Sequence, residues 1–174
     1  MPHSSDHHPA GRAASPSDRA RERRPAPVHG GADARVSALM AGGSLRERLG
    51  PGRPLPGDVR GQMERGLGAP LGDVRLHDGG AAAGLASSLG ASAFAHGRDV
   101  GMAADAPRAG TFRGRLLLAH ELAHAAQQAR GHSLAAGPGT GVLEADADRA
   151  ALGAVLGTGG GIRHASPLSL QLRK

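Results

Sequence analysis

The chain has 174 residues and a formal net charge of +6, a length that fits one domain with flanking tails rather than several domains. It contains no cysteine, which excludes a disulfide framework, thiolate metal ligands and cysteine nucleophiles. Tyrosine and tryptophan are also absent, so the core has to be built mainly from Leu, Val, Ala and Met.

The predicted N-terminal tail covers residues 1–51 and is basic and rich in Gly, Pro and Arg. Most of this stretch has few large apolar side chains, so it cannot bury enough surface to offset chain entropy, and we expect it to be disordered. Only Val36–Leu49 has several apolar residues, and a Gly-Gly pair interrupts it, which predicts at most a short helix. Residues 1–54 hold nine Arg against five acidic residues, a net charge of +4 that leaves +2 for the rest of the chain.

Periodic patterns begin near residue 56 and define a predicted domain at residues 52–157, followed by a flexible tail at 158–174. Val59, Met63 and Leu67 are spaced by four, which predicts a helix at Gly57–Leu67. Further patterns predict strands at Val74–His77, Ser92–His96 and Asp99–Ala103, and helices at Gly79–Leu89, Gly114–Arg130 and Val142–Leu156, with Gly131 ending the second of these helices. The predicted fold class is α+β.

The segment His120-Glu121-Leu122-Ala123-His124 lies within one of these predicted helices and has the H-E-x-x-H pattern of zinc peptidases. Residues four apart share a helix face, so both imidazoles can reach one metal ion while Glu121 flanks the open position. A histidine pair at this spacing also occurs in helices without a metal, so the remaining ligands have to carry part of the argument.

Glu144 is the candidate third ligand, because it lies 20 positions after His124 on the next predicted helix, which has an apolar stripe. Asp148, one turn further, could accept a hydrogen bond from the distal nitrogen of a ligand histidine and fix its tautomer. The alternative is that both acidic residues belong to a solvated helix face. The segment Glu144–Asp148 resembles the E-x-x-x-D element of the gluzincin peptidases, in which the glutamate is the third zinc ligand and the aspartate supports a ligand.

A wider resemblance covers roughly residues 52–130, and weakly extends to 156. It is carried by Val74-Arg75-Leu76-His77, by Ala93-Phe94-Ala95-His96-Gly97, and by the L-L-A-H-E-L-A-H-x-x-Q-Q run at 117–128. These segments resemble the metallopeptidase-like domain associated with extracellular contractile injection systems. The resemblance implies a zincin-like fold, with a small sheet packed on an active-site helix and on a following ligand-bearing helix. It also implies a bacterial protein that serves an injection machine as cargo, cargo leader or toxin-associated protease.

The sequence departs from this family's pattern near the expected substrate pocket. Pro70-Leu71 replaces the usual Asp-Phe, Ala123 replaces a threonine, and Gly101, Met102 and Ala103 replace aromatic positions. Since the chain has no tyrosine, a phenolic oxyanion donor is excluded, and His77, His96 and Arg75 are the candidate transition-state stabilisers. For both histidines the alternative is a hydrogen-bonded structural role. The zincin resemblance implies that Val100, Gly101, Met102 and Ala103 form the edge strand that holds an extended substrate.

The predicted activity is zinc-dependent hydrolysis of peptide bonds. His120, His124 and Glu144 would hold Zn²⁺, and Glu121 would act as the general base toward the attacking water. The alternative is a non-catalytic, zinc-binding packaging or leader module of an injection-system effector. The N-terminal tail could also enter the site as an inhibitory segment or as a substrate for self-cleavage.

The expected partners are a peptide or protein substrate and components of the injection system. Most of the net positive charge lies in residues 1–54, and no aromatic stacking residues accompany it, which argues against a nucleic-acid partner. No stretch approaches the length of a membrane-spanning helix, and Met1-Pro2-His3-Ser4 is not a charged start followed by an apolar run, so we expect no signal peptide. The sequence therefore predicts synthesis in the cytoplasm, with any export performed by the injection machine.

Overall fold

The computed structural model describes residues 45–131 and 140–163, and these residues form five helices and four strands. In chain order they are α1 (Leu45–Leu49), β1 (Arg53–Pro54), α2 (Gly57–Leu67), β2 (Arg75–His77), α3 (Gly80–Leu89), β3 (Ala93–His96), β4 (Asp99–Met102), α4 (Phe112–Ala129) and α5 (Thr140–Leu156). The predicted α+β class is confirmed. Most of the predicted N-terminal tail lies outside the described residues, as does the segment 164–174.

The four strands form one mixed sheet in the order β1-β2-β4-β3. Strand β4 pairs in parallel with β2 and antiparallel with β3, so that Val100 lies opposite both Leu76 and Ala95. The short strand β1 pairs antiparallel with β2, and sequence patterns did not predict it because two residues show no periodicity. The other three strands lie where the alternation predicted them, within a residue or so.

Each face of the sheet packs against helices. Leu76, Ala95 and Val100 belong to the larger core, together with buried residues of α2, α4 and α5. Phe94, whose side chain points to the opposite face, packs in a smaller cluster with Leu45 of α1 and with Ala86 and Leu89 of α3. Helix α1 therefore packs onto the domain. It lies within Val36–Leu49, where the sequence allowed a short helix, although residues 1–51 as a whole were assigned to a tail.

Helix α4 begins two residues before the predicted start because Thr111 caps it. The Thr111 Oγ1 accepts a hydrogen bond from the Gly114 N–H at 3.1 Å and donates one to the Arg108 carbonyl at 2.8 Å. Gly114 has to lack a side chain, since a Cβ at this position would lie 2.0 Å from that carbonyl oxygen. At the other end Gly131 has a φ of 85°, a left-handed conformation typical of the residue that ends a helix.

The segment 158–163 differs from the expectation of a flexible tail that begins at residue 158. Ile162 is only 8% exposed and packs in the larger core. Its N–H donates to the Leu67 carbonyl at 3.0 Å, and Arg130 donates to the Ile162 carbonyl at 3.1 Å. One apolar residue among glycines gives no periodic signal, which is why the sequence did not predict this docking.

Helices α2 and α5 cross in close contact at Gly66, and this contact gives a stability prediction. A Cβ on Gly66 would lie 2.4 Å from the Ala154 Cα, so Gly66→Ala has to push α5 away from α2. We expect a loss of about 1–3 kcal/mol in the free energy of unfolding. Gly61→Ala on the same helix is the control, because its Cβ would approach nothing closer than 3.4 Å and we expect a gain of up to about 1 kcal/mol. Urea unfolding of both variants measures the difference, and equal stability would contradict the crossing.

Candidate metal centre

Three side-chain atoms from α4 and α5 converge on one point. The His120 Nε2 and the His124 Nε2 lie 3.0 Å apart, and the Glu144 Oε2 lies 3.5 Å from the first and 3.4 Å from the second. Two of the three side chains are buried, and Glu144 keeps 22% of its side chain exposed. These three residues form a group that could hold a metal ion. We refer to the three atoms as the ligand triangle.

The size of the ligand triangle fits a tetrahedral ion. With metal–ligand bonds of 2.0–2.1 Å, two ligands of a tetrahedral zinc ion lie about 3.3 Å apart. The three observed separations, from 3.0 to 3.5 Å, bracket this value. Imidazole nitrogen and carboxylate oxygen are also ligand types that zinc accepts. The predicted ligands are therefore brought together with the spacing that such a centre needs.

The Asp148 carboxylate contacts the distal ring nitrogen of His120. The Asp148 Oδ1 lies 2.9 Å from the His120 Nδ1, while the Asp148 side chain is 73% exposed. Because a carboxylate only accepts hydrogen bonds, the His120 Nδ1 has to carry the hydrogen. In the neutral ring the Nε2 then carries its lone pair toward the centre of the ligand triangle.

His124 is oriented by Gln127, which belongs to the 117–128 segment but for which the sequence predicted no role. The His124 Nδ1 lies 3.0 Å from the Gln127 Oε1, and Gln127 is fully buried. The Gln127 Nε2 donates to the Leu143 carbonyl at 3.0 Å, so its Oε1 is the end that faces His124. The signal that could have found it is its i+3 spacing from His124, which puts both residues on one helix face.

The charge of Glu144 suits a cation. Burial raises the pKa of its carboxyl, but the hydrogen bonds and charges of His120 and His124 lower it more, and the net pKa falls from 4.5 to about 2. The carboxylate is therefore ionised at neutral pH. Its other oxygen, Oε1, is buried without a hydrogen-bond partner. Two imidazole lone pairs and an anionic oxygen at this separation repel one another unless a cation, a metal ion or a proton, lies between them.

Glu121 lies on α4 between the two histidines and is 2% exposed. Its carboxylate is thus removed from bulk water and adjacent in sequence to His120. The helix that carries it is buried over most of this turn, since Leu122 and Ala123 are fully buried in the larger core.

The three candidate transition-state stabilisers, Arg75, His77 and His96, lie away from the ligand triangle. Alternation along β2 and β3 places their side chains on the face that carries Phe94, whereas the opposite face packs on α4. The His77 Nε2 lies 2.9 Å from the Asp99 Oδ1, and His77 is buried there. The sheet therefore separates these residues from α4, and the structural alternative holds for His77.

The prediction that Val100, Gly101, Met102 and Ala103 form an edge strand is wrong. Strand β4 lies inside the sheet, hydrogen-bonded to β2 along Asp99–Gly101 and to β3 along Asp99–Met102. The edge beside α4 is β3, and Gln128 of α4 already occupies part of it. The Gln128 Nε2 donates to the Ala95 carbonyl at 3.3 Å, and its Oε1 accepts the Gly97 N–H at 2.5 Å. Strand order depends on long-range pairing, which local sequence patterns do not report.

Comparison with known proteins bears on the same part of the chain. No curated protein and no solved structure shows significant similarity to it. Among the described residues, no helix combines the length and the apolar character needed to cross a membrane. Residues 54–132 match the family model of the eCIS core domain. They make up 79 of the 174 residues and include His120 and His124. This match supports an association of the chain with extracellular contractile injection systems.

Proposed function

We propose that this chain is a zinc-dependent metallopeptidase that serves a contractile injection system as cargo or as a cargo-processing protease. The observation that carries the proposal is the ligand triangle of His120, His124 and Glu144, built on an H-E-x-x-H helix with separations of 3.0–3.5 Å. The match to the eCIS core domain supports the association with the injection system. Injection-system components and a peptide or protein substrate are the proposed partners.

Each residue of the site would have a separate role in the reaction. His120, His124 and Glu144 would hold the ion, and Asp148 and Gln127 would keep the two imidazoles in the tautomer that binds it. When bound, zinc would act as a Lewis acid toward the scissile carbonyl and the attacking water. Glu121 would accept the proton of that water and return it to the leaving amine, a transfer that needs a carboxylate on the same helix turn as the ligands.

Metal content tests the first half of the proposal. We expect about one zinc ion per chain in the wild type purified from metal-replete cultures, and little in His120→Ala or Glu144→Ala, because each variant leaves only two ligands. Plasma mass spectrometry of the purified proteins gives the stoichiometry. Asp58→Ala, which removes an exposed carboxylate from α2, is the control and should keep the wild-type content.

Two results would count against the site. Wild-type protein without zinc would contradict the metal centre itself. Full zinc content in Glu144→Ala would show that Glu144 is not a ligand, regardless of the zinc content of His120→Ala.

A second candidate function is a non-catalytic, zinc-binding packaging or leader module. The observation that favours it is burial, since His120, Glu121 and His124 are 5%, 2% and 1% exposed. The hydrogen bonds of Gln128 to the outer side of β3 also oppose strand addition by a substrate there. Both functions predict zinc, and only the first predicts hydrolysis that depends on Glu121.

A further inference from the structure

We propose that Gln127, Asp146 and the backbone N–H of Arg163 form a support chain that positions His124, so that metal binding is coupled to docking of the segment 158–163. Gln127 and Asp146 act here as positioning residues, since neither belongs to the ligand triangle. The inference rests on the metal site of the proposed function and is independent of hydrolysis.

The first link of the support chain is the fixed orientation of Gln127. Its Nε2 donates to the Leu143 carbonyl at 3.0 Å and faces the Asp146 Oδ2 at 3.5 Å. Reversal of the amide would direct its oxygen at two acceptor oxygens in a buried site, which is unfavourable. Its Oε1 therefore faces the His124 Nδ1 and selects the tautomer whose Nε2 has a lone pair for a metal.

The second link is the buried carboxylate of Asp146, which is 3% exposed. It pairs with the Arg149 guanidinium one turn along α5. Its two oxygens also accept the Arg163 N–H, at 3.3 Å each. Part of what holds this carboxylate in place is therefore supplied by the chain that follows α5.

The third link is the docking of that following chain against α2 and α4. The Gly161 N–H donates to the Gly66 carbonyl at 3.2 Å, and the Ile162 N–H donates to the Leu67 carbonyl at 3.0 Å. Arg130, at the end of the helix that carries both histidines, donates to the carbonyls of Ile162 and Gly68 at 3.1 and 2.9 Å. Residues 161–163 are thus connected to α4 in two ways, directly through Arg130 and indirectly through Asp146 and Gln127.

Coupling between two sites is reciprocal, so docking of the segment should change metal affinity by the same free energy by which metal binding changes docking. Release of the segment 158–163 removes a donor from Asp146, loosens Gln127 and weakens metal binding through His124. Metal binding, in turn, fixes His124 and strengthens the docking of the segment. A partner that pulls this segment from α2 would lower the metal affinity of the site.

Full-length variants test the coupling, with zinc affinity measured by competition against a chromophoric chelator. Gln127→Met keeps the side-chain length and removes the amide, and we expect binding about 10–100-fold weaker. Arg163→Pro removes the backbone N–H that Asp146 accepts, and we expect weaker binding in the same direction. Arg163→Ala keeps that N–H and removes only an exposed side chain, so it is the matched control and should stay within about twofold of wild type.

Two further readouts separate positioning from general damage to the fold. In metal-free protein, ¹⁵N NMR should show His124 protonated on Nδ1 in the wild type, and a shift toward the other tautomer in Gln127→Met. Amide hydrogen exchange at Gly161 and Ile162 should slow on addition of zinc in the wild type, and the slowing should shrink in Gln127→Met.

The outcomes distinguish this inference from the proposed function. Wild type that binds no zinc overturns both. Zinc binding that Gln127→Met and Arg163→Pro leave unchanged, or zinc that does not alter exchange at residues 161–162, overturns the support chain alone. Absence of hydrolysis in protein that binds zinc contradicts the peptidase activity, and the support chain is then judged on affinity and exchange.

Discussion

Glu121→Gln should abolish peptide hydrolysis while zinc content stays at the wild-type level. The substitution keeps the size of the buried side chain and removes the carboxylate that would accept the proton of the attacking water. Loss of a positioned general base lowers a rate by about 10²–10⁴-fold. A diverse peptide library incubated with each protein and read by mass spectrometry gives the rate, and plasma mass spectrometry gives the zinc content of the same samples.

The control for this experiment is Glu47→Gln, which changes a carboxylate on α1 rather than on α4. It should cleave the library at the wild-type rate. If Glu121→Gln also cleaves at that rate, Glu121 is not the base. If wild type and Glu121→Gln both bind zinc and neither cleaves any peptide or its own tail, the packaging or leader module becomes the better account of the site.

Local patterns predicted most of the fold because its elements have regular spacing. The four-residue repeat Val59, Met63, Leu67 located α2 at its observed bounds, and alternation located β2, β3 and β4. The same patterns could not predict the order of the strands in the sheet, since the sequence of a four-residue strand does not show which strands it pairs with. For that reason the interior position of β4 and the short strand β1 became visible only in the structure.

The convergence of the three candidate ligands could be predicted from the sequence as far as it depends on residues that share one helix face. His120 and His124 are one turn apart, and the E-x-x-x-D resemblance brought Glu144 and Asp148 to the same centre. The roles of Gln127 and Asp146 depend instead on where α5 and the segment 158–163 pack against α4. Arg75, His77 and His96 lie on the sheet face opposite α4. Alternation along a strand shows which residues share a face, but the helices that cover each face come from distant parts of the sequence.

Removal of the metal should destabilise the folded protein. The three ligand atoms come from two helices and meet only in the native state, so an ion that binds them stabilises the native state over the unfolded one. Free zinc at a thousand times its dissociation constant contributes about 4 kcal/mol. For a domain of this size, that free energy raises the midpoint temperature of thermal unfolding by more than about 10 °C. Thermal unfolding with excess chelator and with added zinc measures the shift.

Glu144→Ala shows whether such a shift comes from this centre. In metal-free protein His120 and His124 stabilise the Glu144 carboxylate and lower its pKa, so the metal-free variant should be less stable than metal-free wild type. It should also lose most of the response to zinc, because two histidines alone bind the ion weakly. An equal zinc response in both proteins would place the ion elsewhere, and no response in the wild type would mean that a proton rather than a metal occupies the ligand triangle.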